Sequence, residues 1–470
     1  MVDLDGAHLT CADIVAVAQR RTSVSLSAAA RRQVQASHLL AERLAADRDV
    51  YGRSTGVGAN RDAVVGDPDR HALGLLRSHA TSAGVRRAPE RVRAMLVVRL
   101  NQLTAGGSGA SLGVLDALAE MLATDALPAV REYGSIGTGD LSALATTALA
   151  LAGEGATSRP LPSRVAFGAG DALPFLSSNA ATIGDAALAC VDLQELVRAG
   201  VVVAALTSLA VAGNPEAFSE VVEQVTPFDG ARLICRWMRE LTPAPAAPAR
   251  IQDPFGLRTL PQAHGAALDA LDRLADTVQR LANAPAENPV VLAGGLAHHG
   301  GFHAAYLGNT LDAATIAVAQ AGQLSLARLA MLTEPAFTGL PAFLSDGTPG
   351  ASGVMVLEYV AASALGDLRA AATPAGPQSV VLSRGVEEDA SFASLAARQA
   401  AAAVGALRVL LACELVAAVR AVRARGLTPA GPVSRALQMC ADLPVERVDR
   451  DLTDDVGHAE GRLPALAGLL

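Results

Sequence analysis

Thr310–Met331 reads TLDAATIAVAQAGQLSLARLAM, a run in which apolar residues recur at three- and four-residue spacing and no proline interrupts. That period marks an α-helix, and alanine and leucine are among the strongest helix formers. The run is apolar around most of its circumference, which suits the interior of a bundle or a subunit interface better than a solvated surface. Ala263–Ala282 repeats the pattern, and Ala186–Val211 has the same period. These three stretches predict an all-α chain with a central bundle of long helices. Homo-oligomerisation follows as an expectation from their apolar girth.

Outward from the helices lie segments rich in glycine, proline and small polar residues, at positions 51–60, 106–113, 133–140, 252–262, 287–301 and 339–353. Loops of this kind carry functional groups on a rigid scaffold. The proline- and alanine-rich stretch Leu241–Pro248 reads as a linker into the central helices. The expected division is an N-terminal domain over residues 1–185, carrying the first loops, and a long-helix bundle with C-terminal helices over 186–470.

Composition excludes several classes of function. With 470 residues, 51% of them hydrophobic, the chain can bury a large core. A net charge of −8 without an extended basic run leaves no footprint for nucleic acid or an anionic membrane. The apolar stretch Val201–Gly213 is too short to span a bilayer, and the acidic start Met1–Asp5 lacks the features of a signal peptide, so a cytoplasmic protein is expected. Cys11, Cys190, Cys235, Cys413 and Cys440 are scattered and free of CxxC spacing, which reads as buried thiols rather than disulfides or a zinc site. All 38 basic residues are arginine. Without a lysine the chain cannot hold pyridoxal phosphate as a Schiff base, so any electrophile for amine elimination has to come from elsewhere.

The loops carry a series of motifs. Tyr51-Gly-Arg-Ser-Thr-Gly-Val-Gly, taken alone, is a flexible glycine loop and weak support for phosphate binding. It is followed in order by Arg99-Leu-Asn-Gln-Leu-Thr-Ala-Gly-Gly-Ser-Gly, Gly134-Ser-Ile-Gly-Thr-Gly-Asp-Leu-Ser-Ala-Leu-Ala, and Gln252-Asp-Pro-Phe-Gly-Leu-Arg-Thr-Leu-Pro-Gln. Glu287-Asn-Pro, Gly300-Gly-Phe-His and the region from Leu340-Pro-Ala-Phe-Leu to Gly353-Val-Met come after. These blocks resemble, in order and spacing, the YGxxTGFG, RxNxLxxGxSG, GSVGASGDLAPLA, QDxYSLRCxPQ, DNP, GGNFHG and LPPFL…NSGFM blocks of the aromatic amino acid ammonia-lyase family. That family comprises histidine, phenylalanine and tyrosine ammonia-lyases and the related aminomutases. The RxNxLxxGxSG block is expected to open a helix.

The resemblance implies the histidine ammonia-lyase-like fold and a homotetramer whose active sites draw on three subunits. It also implies elimination or addition at the α,β carbons of an aromatic or imidazole α-amino acid or a derivative. Members of the family need no external cofactor, because an internal Ala-Ser-Gly cyclises to a methylidene-imidazolone that serves as electron sink. Here the matching stretch is Gly137-Thr138-Gly139, one residue shorter and with threonine for serine. Dehydration of a threonine would leave an ethylidene whose extra methyl hinders attack, and a shortened loop would displace the group. Both changes weigh against the electrophile.

By the same resemblance Tyr51 is the catalytic base, a role that requires its pKa to be lowered from about 10. Arg258 binds the substrate carboxylate through its planar paired donors, beside Gln252. Asn179 and Phe302 fall near the electrophile, and His79 and Asp367 fall where histidine lyases hold the imidazole. Phe255 stands in place of the family's second catalytic tyrosine and can move no proton, which makes it a pocket wall. His298, His299 and His303 lack the carboxylate partner of an HExxH site, so no metal is expected. Three functions stay open: a lyase or aminomutase with a rearranged electrophile, an imidazolone-free enzyme catalysing a different elimination, addition or cyclisation in a tailoring pathway, and a catalytically silent ligand-binding homologue.

Overall fold

A computed structural model describes residues 1–242, 247–378 and 380–470. The centre of the linker read at Leu241–Pro248 lies outside the described residues. The fold is mostly helical. The predicted run at Thr310–Met331 extends over Ala305–Thr333, and its companions become Ala180–Ala210 and Leu260–Ala282. A fourth long helix, Ala393–Ala424, has the length and composition to cross a bilayer, but its most apolar window is mostly buried in the protein, the pattern of a core helix. Strands among the described residues form three two-stranded pairs. Val2–Leu4 runs parallel to Val24–Leu26, while Ala83–Arg86 and Arg131–Tyr133, and Val290–Leu292 and Gly295–Ala297, pair antiparallel. All five cysteines are buried free thiols.

The chain divides into two compact units. The first comprises Met1–Val191, Leu274–Asp312 and Pro374–Arg398, and the second Asp192–Arg273, Ala313–Thr373 and Gln399–Leu470.

In the first unit the helix Pro89–Thr104 is buried at every residue from Ala94 to Thr104. Arg99-Leu-Asn-Gln-Leu therefore closes a helix rather than opening one, and the expectation of a helix start is corrected. The helix stops because Gly106 and Gly107 take φ of +74° and +94°, a region that side chains disfavour. Its polar residues tie distant segments to it. Arg99 Nη1 donates to Glu287 Oε1 at 2.8 Å and its Nε to the Phe175 carbonyl at 3.1 Å. Asn101 Oδ1 accepts from Gly6 N at 3.0 Å, and Gln102 Nε2 donates to the Leu281 carbonyl at 2.9 Å.

The second unit contains a matching cluster. Glu414 accepts from Arg328 Nε at 2.6 Å and Nη2 at 2.8 Å, from Ser325 Oγ at 2.6 Å and from Thr207 Oγ1 at 2.8 Å. Arg328 Nη1 also donates to the Gly256 carbonyl at 3.1 Å. This contact fixes the short turn Phe255–Arg258 from beneath.

Breaking one of these buried pairs strands a charge. Glu287→Ala is expected to lower stability by roughly 3–5 kcal/mol in urea unfolding, whereas the paired apolar replacement Arg99→Met with Glu287→Leu should cost less. Equal losses in both variants would refute this account of the pair.

Candidate active site

The first unit contains a cavity of about 1180 Å³ whose lining includes Tyr51, His79, Thr138, Phe302, His303 and Glu387. Two chain segments shape its mouth. The Tyr51 loop folds back so that Gly58 N–H donates to the Tyr51 phenol oxygen at 2.7 Å, and Ala59 N–H donates to Ser383 Oγ at 3.1 Å. The facing turn is closed by Leu382 N–H on the Glu387 carbonyl at 2.9 Å, with Ser383 and Arg384 at φ +51° and +58°. Non-glycine residues seldom hold that conformation, and such strain gathers at functional sites.

Tyr51 is half-buried, and His298 stands edge-on to it with ring centroids 6.3 Å apart. Tyr51 N–H donates to His298 Nε2 at 3.2 Å, which assigns the ring proton to Nδ1. Burial, then the nearby Arg48 and His299, pushes His298 below the ordinary histidine range, in keeping with a neutral ring. Burial also raises the Tyr51 phenol, the Gly58 amide pulls it down, and the Glu387 carboxylate pushes it up again. The net direction is upward, so the surroundings within this chain favour the protonated phenol.

The Gly137-Thr138-Gly139 loop is pinned through the backbone of its two glycines and of the residues flanking them. Ile136 O accepts from Phe392 N at 2.8 Å, and Gly137 O accepts from Ala304 N at 3.0 Å and Ser391 Oγ at 2.9 Å. Gly139 N–H donates to Asn179 Oδ1 at 3.0 Å, and Asp140 N–H to the Ser178 carbonyl at 2.7 Å. The other end of the buried Asn179 amide donates to the Phe302 carbonyl. Asp140 heads the helix Leu141–Leu151, and its carboxylate accepts from Thr182 N at 2.7 Å and Thr182 Oγ1 at 2.9 Å. Burial pushes the Asp140 carboxyl upward despite these bonds.

This loop does not fit the imidazolone of the ammonia-lyase triad. A methyl at position 137, as an alanine would have, would sit 2.9 Å from the backbone nitrogen of Ala393, closer than real Cβ contacts come. Gly137 itself has φ +89°. Ring closure would also remove the Gly139 hydrogen and the Gly137 oxygen, the groups held by Asn179, Ser391 and Ala304.

The remaining sequence-derived residues fall into two groups. His79 and Phe302 line the Tyr51 cavity. Gln252, Phe255 and Arg258 belong to the second unit. There Arg258 Nη1 donates to Gln252 Oε1 at 2.7 Å, and the guanidinium carbon lies 4.8 Å from the Phe255 ring centre. Arg258 Nε is buried without a partner, and the group opens on a hollow of about 310 Å³. Asp367 is exposed on the helix Met355–Ala371 of that unit and is absent from the cavity lining. Asp49 and Asp62 line the Tyr51 cavity, and so do the carboxylates Glu387, Glu388 and Asp389, with Asp389 Oδ2 3.3 Å from His303 Nε2. Sequence reasoning passed over these three acids, Ser383, Ser391 and His298 as site residues. The consecutive acids beside Gly385 were the available signal. No group of three or more metal-ligating side chains occurs among the described residues.

Known proteins share the fold and much of the sequence. The model of the family described as aromatic amino acid lyase matches residues 9–442. A histidine ammonia-lyase of Symbiobacterium thermophilum is 33% identical over 455 residues, covering 92% of this chain and 90% of that protein. The crystal structure of tyrosine aminomutase from Streptomyces globisporus superimposes with a TM-score of 0.92 at 26% identity, covering 99% of this chain and 97% of that one. The ergothionase of Treponema denticola superimposes with a TM-score of 0.92 at 23% identity, covering 100% of this chain and 99% of that one, a likeness of fold.

The Tyr51 environment can be titrated directly. The difference between wild type and Tyr51→Phe in phenolate absorbance is expected to have its midpoint above 10. Glu387→Gln removes a negative charge that opposes ionisation and should move that midpoint down. An unmoved midpoint would take Glu387 out of the field at Tyr51.

Proposed function

The chain belongs to the aromatic amino acid lyase family, and from that premise we propose that it breaks a carbon–nitrogen bond in an amino-acid-like substrate bearing an imidazole or aromatic ring, with Tyr51 as base. It is an enzyme of the carbon–nitrogen lyase type, in a family of ammonia-lyases and aminomutases that act on amino acids. The family's usual electrophile is an autocatalytic imidazolone, and no step below depends on it.

The observation that carries the ring preference is the lining of the Tyr51 cavity, where His79 and the carboxylates Glu387, Glu388 and Asp389 accompany the phenol. Ring nitrogens can both donate to carboxylates and accept from a histidine. A substrate ammonium drawn to Glu387 would place positive charge beside Tyr51 and offset the carboxylate that raises the phenol. The Gly58 N–H then supports the phenolate, which takes the proton from the carbon next to the breaking bond. Arg258, with a free Nε and Gln252 at its side, is suited to clamp a carboxylate.

The clamp lies in the second unit, and by resemblance the protein is a homo-oligomer, a tetramer whose active sites draw on several copies of the chain. Ile251 and Phe255 beside the clamp are 87% and 63% exposed, and Val356 and Tyr359 are exposed on Met355–Ala371, apolar area for a partner copy to cover. A cytoplasmic location is the matching proposal, supported by five free thiols. The second reading, an elimination, addition or cyclisation without the imidazolone, is favoured by the Gly137-Thr138-Gly139 geometry.

A panel of imidazole and aromatic α-amino acids and their derivatives, assayed for amine release, tests the reading. Tyr51→Phe should reduce kcat about a hundredfold or more while light scattering finds the oligomer intact. Arg258→Met should raise KM for carboxylate substrates more than it lowers kcat. Unchanged turnover in the first variant, or an unaltered KM in the second, would remove that residue from its role.

A further inference from the structure

We propose that Gly137-Thr138-Gly139 remains an open peptide in the mature enzyme, and that the Thr138 hydroxyl, which cyclisation would expel as water, is retained as a substrate-contacting group. The inference rests on the lyase reading of the Tyr51 cavity and deepens it by naming the substrate class.

Three observations carry it. First, the atoms that ring closure consumes are the ones the fold has engaged. Closure joins Gly139 N to the Gly137 carbonyl carbon, so the Gly137 oxygen leaves as the first water with the amide hydrogens of Gly139 and Thr138. Asn179 Oδ1 then loses its donor at 3.0 Å, and Ser391 Oγ and Ala304 N–H lose the acceptor they share at 2.9 and 3.0 Å. Asn179, Ser391 and Ala304 are 5%, 5% and 3% exposed, and a buried group that loses its partner carries a desolvation cost. Second, the loop's flanks are held at Ile136 and Asp140, which leaves little slack for the contraction that a five-membered ring requires. Third, Thr138 is among the residues lining the cavity that contains Tyr51, and its hydroxyl has no hydrogen-bond partner among the described residues. A hydroxyl on a cavity-lining residue that the protein leaves unused is available to a ligand.

The consequence concerns the substrate. Without a covalent electron sink, Tyr51 can drive elimination only where the substrate brings its own activation. The phenolate takes a proton from carbon, the C–H electron pair becomes the new double bond, and the leaving group departs with the pair of its bond to the neighbouring carbon. No oxidant or reductant enters. The substrate class is therefore an amino acid derivative carrying a leaving group that departs without covalent activation, or a C–H bond already acidified by an adjacent acceptor, rather than an unmodified aromatic amino acid.

The experiment is the intact mass of the purified full-length chain with peptide mapping across residues 133–140, before and after borohydride. An unmodified mass and no hydride uptake are expected. A deficit of about 36 Da confined to residues 137–139, two waters by stoichiometry, would overturn the proposal. Thr138→Val and Thr138→Ser, each checked by circular dichroism for an intact fold, test the hydroxyl with L-histidine as the calorimetric probe. Binding about tenfold weaker in the valine variant and near wild type in the serine variant is expected. Equal binding by wild type and Thr138→Val would overturn the hydroxyl's role. Rapid ammonia release from L-histidine by a chain of unmodified mass would overturn the substrate class. Failure of L-histidine to bind the wild type at all would count against the ring preference of the parent reading, and the mass decides the loop independently of it.

Discussion

A guanidinium taken out of water has to be paired, and the structure spends that requirement on fixing its functional segments. Arg99 and Arg328 are both fully buried, each against a fully buried glutamate. Desolvation of such a pair cancels much of its Coulomb attraction, so neither is retained for stability alone. What each does is choose a geometry. In the first unit Glu287 carries Asn288 with it, and Asn288 lines the Tyr51 cavity. In the second, Arg328 reaches past Glu414 to the Gly256 carbonyl and so orients the turn that bears Arg258. A chain whose cations are all arginine is suited to this, since the planar fork spreads donors over several acceptors and is more weakly hydrated than an ammonium.

Electrostatics at the cavity follow from how it is assembled. Tyr51 lies between a backbone donor that favours its anion and an acidic turn that opposes it. His298 is held neutral and accepts from the Tyr51 backbone, so it orients the loop without contributing charge. Within one chain the balance leaves the phenol protonated. On the proposed reading, cationic charge delivered by a substrate would shift the balance toward the phenolate and so couple occupancy of the site to activation of Tyr51.

How far the sequence exposes this depends on the range of each interaction. The long helices were legible because a 3.6-residue period is local, and Thr310–Met331 differs from the observed Ala305–Thr333 only at its ends. Tyr51, Thr138, His79 and Phe302 were legible as motif residues and do line one cavity. The contacts that define the cavity's chemistry join residues hundreds of positions apart: Ala59 with Ser383, Gly137 with Ser391, Tyr51 with His298. No period or spacing encodes them. Glu387 illustrates the limit, since it is one acid among many in the sequence and only the fold puts it on the cavity wall. Arg99-Leu-Asn-Gln-Leu was assigned to the wrong end of its helix for a related reason: the glycines after it terminate the helix, and their positive φ is a conformational fact rather than a compositional one.

Two departures from the ammonia-lyase pattern, Thr138 in the loop and Phe255 in the clamp turn, point the same way chemically. The first opposes formation of an electron sink, and the second removes a proton-transfer group. An unmodified ammonia elimination needs both an activated leaving group and ordered proton movement. A site that lacks one of them could be a damaged copy of its relatives. On the proposed reading, one that lacks both, yet keeps a backbone-supported phenol and the unpartnered Thr138 hydroxyl among the residues of one cavity, is equipped for a substrate that supplies the missing activation itself. The loop fits that division of labour. Its hydrogen bonds serve to hold Thr138 at the cavity wall, and a rigid hydroxyl is worth more to recognition than a mobile one because its ordering cost is met when the chain folds.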